Sequence, residues 1–559
     1  MEKILVIGDD LRSFLAIVRS LARAGYEVHA APFDFSSPAL ASRFISAIHR
    51  LPRYAVAPEA WLQSLQSLIA QHHFALIIPC GDNHLMPLAH HQAALAAPIA
   101  LPNEAAFQVF FDKEKTRELA ARCGVPIARG GPVSTELVAE LGLPFALKPR
   151  QSVYLRDVGH RGAVKIIRTP EEVASAFLCA KPVDDYFVEA FFAGDGVGVS
   201  VLARRGEIAH AFQHRRLAET SEAGGSSSRV SEALDPALMA GVTAMCAAVA
   251  YHGVAMFEFR QNPETRAFVL LEVNARFWGS LPLAIASGSD FPADLAKLLL
   301  TDTVQPPHAN RTGIVRRHLT AEYYRILTQS EQAVGRFRRA VSLGWSLLKL
   351  ALDVFVKPRQ FDSFAPDDLT PFRAERRRTI RSFMRSIGQA LPERRQRLIR
   401  QSHARLKSVL PPLPRTPRLM FICFGNICRS PFAARLLSAR VGEAAVISSA
   451  GTLMLRGRPS PGDAVACART HGISLDDHRS EIATYEALAD ADAIFIFDDR
   501  NADDLAQLGT DPNKIIRLGS LIGRRMIDDP YGRGLDAFQN CYAQIAAAVD
   551  VIAAAVTAR

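Results

Sequence analysis

The sequence predicts a multidomain α/β protein: a parallel α/β unit, a mixed α/β stretch, a helical basic connection and a final parallel α/β unit. Three observations carry this. At 559 residues the chain exceeds what a single hydrophobic core serves. Strand and helix signals alternate near both ends, the order that builds parallel sheets. Charge is uneven, with twelve Arg or Lys against two Glu from Pro371 to Leu410. That excess matches the net +10 of the whole chain, so the remainder is close to neutral. A basic segment, unlike a basic protein, suggests a linker or docking surface, and no nucleic-acid partner is expected.

Taken in order, KILVIG reads as a strand, Ser13 to Ala24 as a helix, EVHAAPF as a strand and FALIIPCGD as a strand ending in a turn. Residues 1–102 thus form the first unit. Only Gly8 and two Asp follow its first strand, so a dinucleotide site is not supported. The opening MEKILVIGDD reads as a buried strand rather than a signal peptide. No uncharged apolar stretch of about 18 residues predicts a spanning helix. Eight cysteines fit neither a disulfide framework nor a zinc site, which points to a reducing cytoplasm.

Residues 103–302 hold the short apolar strands FALKP, YFVEAF, GVSVLA, AMFEF and FVLLEV. Between 303 and 417 the pattern is helical. Arg336 to Lys357 is amphipathic through Val341, Leu343, Trp345, Leu347, Leu348, Leu350, Leu352 and Phe355. It suits packing on the preceding domain, or a membrane surface with Trp345 and Phe355 buried. The arginine-rich stretch suits a solvated helical linker, or contact with an anionic membrane surface or acidic protein. PPLPRTP at 411–417 is a hinge, and 418–559 again alternates strand and helix.

The last unit opens with RLMFICFGNICRSP, a strand running into Cys423, with five residues before Arg429 and a helix opening at Ser430-Pro431. This is a phosphate cradle. Backbone N–H groups of Phe424, Gly425, Asn426, Ile427 and Cys428, with the helix N-terminus, favour an anion. The same field favours a thiolate at Cys423, the nucleophile. Arg429 can hold two phosphate oxygens and stabilise the transition state. Ser430 can donate to the sulfur. Asp529, on the rigid Asp-Pro of DDPYG, can protonate the leaving oxygen and then activate water against a phosphocysteine.

With SSAGT at 448–452, HGISLDDHRS at 471–480, FDDRN at 497–501 and DPY at 529–531, this unit resembles the low-molecular-weight protein tyrosine phosphatase family. The resemblance implies a doubly wound parallel sheet, no cofactor, and phosphotyrosine protein or a small phosphomonoester as substrate. It also implies that Asn426 shapes the loop, Cys428 protects Cys423 by a reversible disulfide, and Tyr531 lines the cleft mouth. Leu453-Met454-Leu455 stands where the family often has an aromatic. An arsenate reductase would share the cradle, but it needs further cysteines near FDDRNADDL, which are missing.

In the middle, AMFEFR and VLLEVNARFWGS bring Glu258, Glu272 and Asn274 onto adjacent strands, a hard-oxygen set suited to Mg²⁺ on a triphosphate. With Asp112-Lys113, LPFALKPR and YFVEAFFAGDG, residues 1–302 resemble the ATP-grasp superfamily of carboxylate–amine ligases. The resemblance implies ATP and Mg²⁺ as cofactors, with an ATP-grasp domain over 103–302. Lys113 and Lys148 would contact the phosphates, Glu189 and Phe192 the adenine hinge, and Arg276 the acyl-phosphate intermediate. The phosphate-covering loop QSVYLRDVGHRG is poor in glycine, with Gly159 and Gly162 only, and the ribose acid would be Asp195. Arg215, Arg216 and GGSSS at 224–228 read as a substrate or phosphate loop, or a plain mobile one. A bifunctional phosphatase and ligase is the expected function. An ATP sensor gating the phosphatase, or two halves acting in sequence on one metabolite, are the alternatives.

Overall fold

The run KILVI forms the strand Lys3–Ile7 inside a parallel sheet ordered Ala47–Ile48, Glu27–Ala31, Lys3–Ile7, Leu76–Pro79. Successive side chains leave opposite faces of a strand. Ile4 and Val6 therefore enter one core with Phe14 and Ile17, while Leu5 and Ile7 enter another with Trp61 and Leu65. The computed structural model describes all residues except 56, 156–157, 159–163, 171, 174–182, 222–223, 307–308, 333–335, 391, 413, 454–455, 509, 533 and 559. Half of the phosphate-covering loop, with Gly159 and Gly162, and Met454-Leu455 thus lie outside the described residues. The chain divides into two units, Met1–Thr169 with Pro182–Ile380, and Arg381–Arg559.

Two antiparallel sheets complete the first unit. One is ordered Gly130–Pro132, Tyr186–Ala190, Phe145–Pro149, Lys165–Ile167. The other has six strands, ordered Phe268–Asn274, Gly253–Gln261, Asp195–Arg204, Glu207–Ser221, Gly224–Glu232, Val315–Arg317. The segments expected as a loop are therefore paired strands, with Arg216 opposite Arg229. The reason lies in the neighbouring strand. A Cβ at Gly198 would strike the His214 ring and one at Gly196 the Arg216 side chain, so these glycines give the pair its seat.

The 303–417 segment, expected as a linker, is divided between the two units. Val315–Arg317 closes the edge of the six-stranded sheet. After the helices Leu319–Gln332 and Arg336–Val356, buried Asp362 takes Arg229, and buried Asp368 takes Arg19 and the Ser42 hydroxyl. Once buried, a guanidinium needs a carboxylate, so these pairs attach the segment where composition suggested a tether. In Arg336–Val356, Leu350 and Val354 are buried, yet Trp345, Leu348, Leu352 and Phe355 form an exposed apolar stripe.

The second unit's sheet is parallel, ordered Val446–Gly451, Arg418–Cys423, Ala493–Ile496, Ile515–Arg517. Its first strand lies between later ones, so the strand order reverses at its C-terminal end, where Cys423 sits. Open α/β sheets bind ligands at such a point. Leu419 and Phe421 face a core with Phe432 and Ile545, while Met420 and Ile422 face Leu488 and Leu505. The helix Leu535–Thr557 is long and apolar enough to cross a membrane, but Phe538, Tyr542, Ile545, Val549 and Ile552 are buried in this core.

Candidate active sites

The Cys423 loop is fixed by one asparagine. Asn426 adopts φ 48°, a left-handed conformation that Asn tolerates better than most residues. Its Oδ1 accepts from Glu481 N at 2.8 Å, so its Nδ2 is the donor to Ser430 Oγ at 2.9 Å and Ser449 Oγ at 3.0 Å. Ser430 Oγ is 3.0 Å from Cys423 Sγ, and the Asn426 backbone N–H donates to the same sulfur at 3.2 Å. His478 Nε2 holds the Asn426 carbonyl at 2.6 Å, and burial lowers the His478 pKa. Gly451 explains the SSAGT motif, because a Cβ there would meet Phe424 O at 2.7 Å and Asn426 N at 3.0 Å.

Arg429 is buried and held by two carboxylates. Nη1 donates to Asp498 Oδ2 at 2.6 Å and Ile527 O at 3.0 Å, and Nη2 to Asp529 Oδ2 at 2.8 Å. Burial works against its charge, but Asp529, the Cys423 sulfur and Asp498 outweigh it and raise its pKa. Nε is buried with no partner among the described residues. Nε and Nη2 form one edge of a guanidinium, the edge that grips two oxygens of a phosphate. Asp529 thus covers half of the edge that phosphate would use.

The sequence-predicted Cys423, Arg429, Ser430 and Asp529 come together here. Cys428 is a free, buried thiol whose pKa burial and Asp529 raise well above the usual value. Tyr531 is exposed, and its N–H reaches Asp529 Oδ1 at 3.3 Å. Leu453 is buried, its N–H on Phe424 O at 2.8 Å. Sequence reasoning missed the roles of Asp498 and Arg500, although both lie in FDDRN. Asp498 also caps the helix Asp499–Gln507, and the Arg500 guanidinium lies 3.3 Å from the Phe424 ring centroid.

In the first unit a cleft of ≈ 280 Å³ is lined by Lys113, Glu258, Glu272, Asn274 and Arg276. Glu258 and Glu272 are cross-strand partners, bridged by Asn274 Nδ2 at 3.3 and 3.4 Å. Lys113 Nζ is 3.6 Å from Glu272. Arg276 grips Asp82 at 2.6 and 2.8 Å and reaches Asn274 Oδ1 at 2.9 Å. An adjoining pocket is lined by Lys148, Glu189, Phe192 and Arg260. There Glu189 is buried between Lys148 and Arg117, its Oε2 2.8 Å from Arg117 Nη1. Asp195 instead faces Arg215 at 3.5 Å. Arg216, 2.5 Å from Glu258, was misread as loop, and Asp82 and Arg117 were missed because each meets its partner only across the fold.

The sheet and the Cys423 loop define a cysteine-loop phosphatase domain, and the first unit presents carboxylates and cations in one cleft. Residues 418–559 match the family model of low molecular weight phosphotyrosine protein phosphatase, and residues 183–321 that of ATP-grasp in the biosynthetic pathway with Ter operon. "Probable low molecular weight protein-tyrosine-phosphatase AmsI" of Erwinia amylovora is 34% identical over 125 residues, 22% of this chain and 86% of that protein. The low molecular weight protein-tyrosine-phosphatase Etp of Escherichia coli K12 is 30% identical over 128 residues, 23% and 86% of the two chains. Through residues 418–559 the chain belongs to the low molecular weight phosphotyrosine protein phosphatase family. Among solved structures, L-amino acid ligase from Bacillus licheniformis aligns with TM-score 0.43 at 19% identity, covering 54% of this chain and 74% of that one.

Proposed function

We propose that the chain hydrolyses phosphotyrosine, or a related phosphomonoester, at Cys423, and that its first unit binds Mg-ATP for a ligase reaction. The observation that carries the first part is the Ser430 hydroxyl 3.0 Å from the Cys423 sulfur, beside an Arg429 edge whose Nε has no partner among the described residues. The sulfur attacks phosphorus, the S–P bond forms, and the bond from phosphorus to the leaving oxygen breaks. That oxygen takes a proton from Asp529. Asp529, now a carboxylate, accepts a proton from water as the water oxygen displaces sulfur and releases inorganic phosphate. A thiolate nucleophile suits a reducing compartment, the cytoplasm. Hydrolysis of p-nitrophenyl phosphate and a phosphotyrosine peptide tests this, and turnover that survives in Cys423→Ser refutes it.

For the first unit, the oxygen donors Glu258, Glu272 and Asn274 fit Mg²⁺, which when bound neutralises triphosphate charge. Lys113 and Lys148 supply cations beside the nucleotide, Glu189 and Phe192 stand at the adenine end, and Arg276 faces a carboxylate substrate. ADP release with acid and amine libraries tests turnover. A second reading, nucleotide sensing without turnover, draws on Arg216, whose guanidinium already holds Glu258. It predicts Mg-ATP binding with no ADP release. The exposed stripe of Trp345, Leu348, Leu352 and Phe355 supports a membrane surface as partner, with the arginine-rich segment after it suited to anionic headgroups. Co-sedimentation with anionic vesicles, lost in Trp345→Glu, checks it.

A further inference from the structure

We propose that His29, His49 and His72 bind a divalent transition-metal ion of the zinc class through three imidazole nitrogens, with a fourth position open. His29 stands on the strand Glu27–Ala31, His49 directly after the edge strand Ala47–Ile48, and His72 ends the helix Pro58–His72. One ring nitrogen of each lies within 4.8 Å of the others, and ring centroids are 4.8 to 5.1 Å apart. His29 is buried; the other two are half-buried.

The tautomer of His29 is set by a carboxylate. Its Nε2 is 2.9 Å from Glu27 Oε1, so Nε2 carries the proton and Nδ1 presents its lone pair. A carboxylate on the far nitrogen is what orients a metal-bound imidazole. Nδ1 lies 2.9 Å from His49 Nε2, which donates to it without metal. Loading moves that proton to His49 Nδ1. Two nitrogens on one tetrahedral ion stand roughly 3.3 Å apart, a few tenths of an ångström wider.

Metal binds neutral imidazole. The helix end at His72 carries partial negative charge, which favours a cation. Lys3, paired in register with Glu27, opposes it, and Glu27 offsets Lys3. Phe74 stacks on His72 and edges His29, giving an apolar wall. Three nitrogens with no hard oxygen donor select Zn²⁺ or Co²⁺ over Mg²⁺.

The full chain carrying Cys423→Ser, so that the loop sulfur binds nothing, is titrated with Zn²⁺ and Co²⁺ in excess Mg²⁺. Expected are one equivalent of Zn²⁺, an upward shift in Tm with zinc, and the ligand-field absorption of tetrahedral Co²⁺. His49→Gln and His72→Gln should abolish all three, and Glu27→Gln should weaken binding about 10- to 100-fold. Lack of stoichiometric zinc and of the cobalt band in the parent overturns the proposal, whatever the variants' stability. So does binding that both histidine variants retain.

Discussion

The Ser430 hydroxyl stands 3.0 Å from the Cys423 sulfur while accepting a hydrogen bond from Asn426 Nδ2 at 2.9 Å. Since Asn426 Oδ1 is committed to a backbone N–H, the Ser430 proton can only point toward the sulfur or the more distant Ala450 carbonyl at 3.5 Å. A hydrogen bond to a charged group contributes about 1.5–3 kcal/mol. Ser430→Ala should therefore lower kcat by roughly 10- to 100-fold, with phosphate affinity changed less. Steady-state kinetics on p-nitrophenyl phosphate measures both, and an unchanged kcat refutes the hydrogen-bond chain.

Because Asp529 covers half of the phosphate-gripping edge of Arg429, its removal should separate binding from turnover. Asp529→Asn should bind vanadate or inorganic phosphate more tightly and turn over more slowly. The loss should grow as the leaving group becomes a poorer one. Weaker anion binding in this variant would count against the competition.

Asp498 both holds Arg429 and caps its helix through Asn501 N at 2.9 Å. Asp498→Ala should cost about 1 kcal/mol in stability for the lost cap. It should also raise KM, because Arg429 loses its rear anchor. Asp498→Ser keeps a cap without the charge, so it should restore stability but leave KM high. Denaturant unfolding alongside kinetics separates the two effects.

Glu189 lies between two buried cations, Lys148 and Arg117. Removing one member of a buried ion cluster typically costs about 3–5 kcal/mol. Glu189→Ala should destabilise the first unit by that order and abolish Mg-ATP binding. Wild-type stability in this variant would refute the burial of the cluster.

Burial pushes His84 down to about 4 and His214 down to about 3. Both are neutral when folded, while the unfolded chain protonates near a pH of about 6.5. Their contribution is present above that pH and is lost as pH falls through it. Between pH of about 6.5 and 5, above the usual carboxylate range, first-unit stability should fall. His84→Gln with His214→Gln should flatten that slope in denaturant titrations.

The sequence by itself determined Cys423, Arg429 and Ser430, because strand, loop and helix N-terminus are contiguous and their chemistry is local. It also determined the two-faced apolar strands Lys3–Ile7 and Arg418–Cys423, and the pairing of Glu258 with Glu272 and Asn274, through short-range periodicity. Only the tertiary structure decided what meets across long separations: Asp498 on Arg429, Asp362 on Arg229, Asp82 on Arg276, and three histidines around one point. A buried charge records its need for a partner in its own residue type, but not which partner. The choice is made by the packing that brings distant carboxylates into the same dry space. For the same reason AFQHRR and GGSSS looked like loop, since their strand pairing rests on Gly196 and Gly198 in another strand.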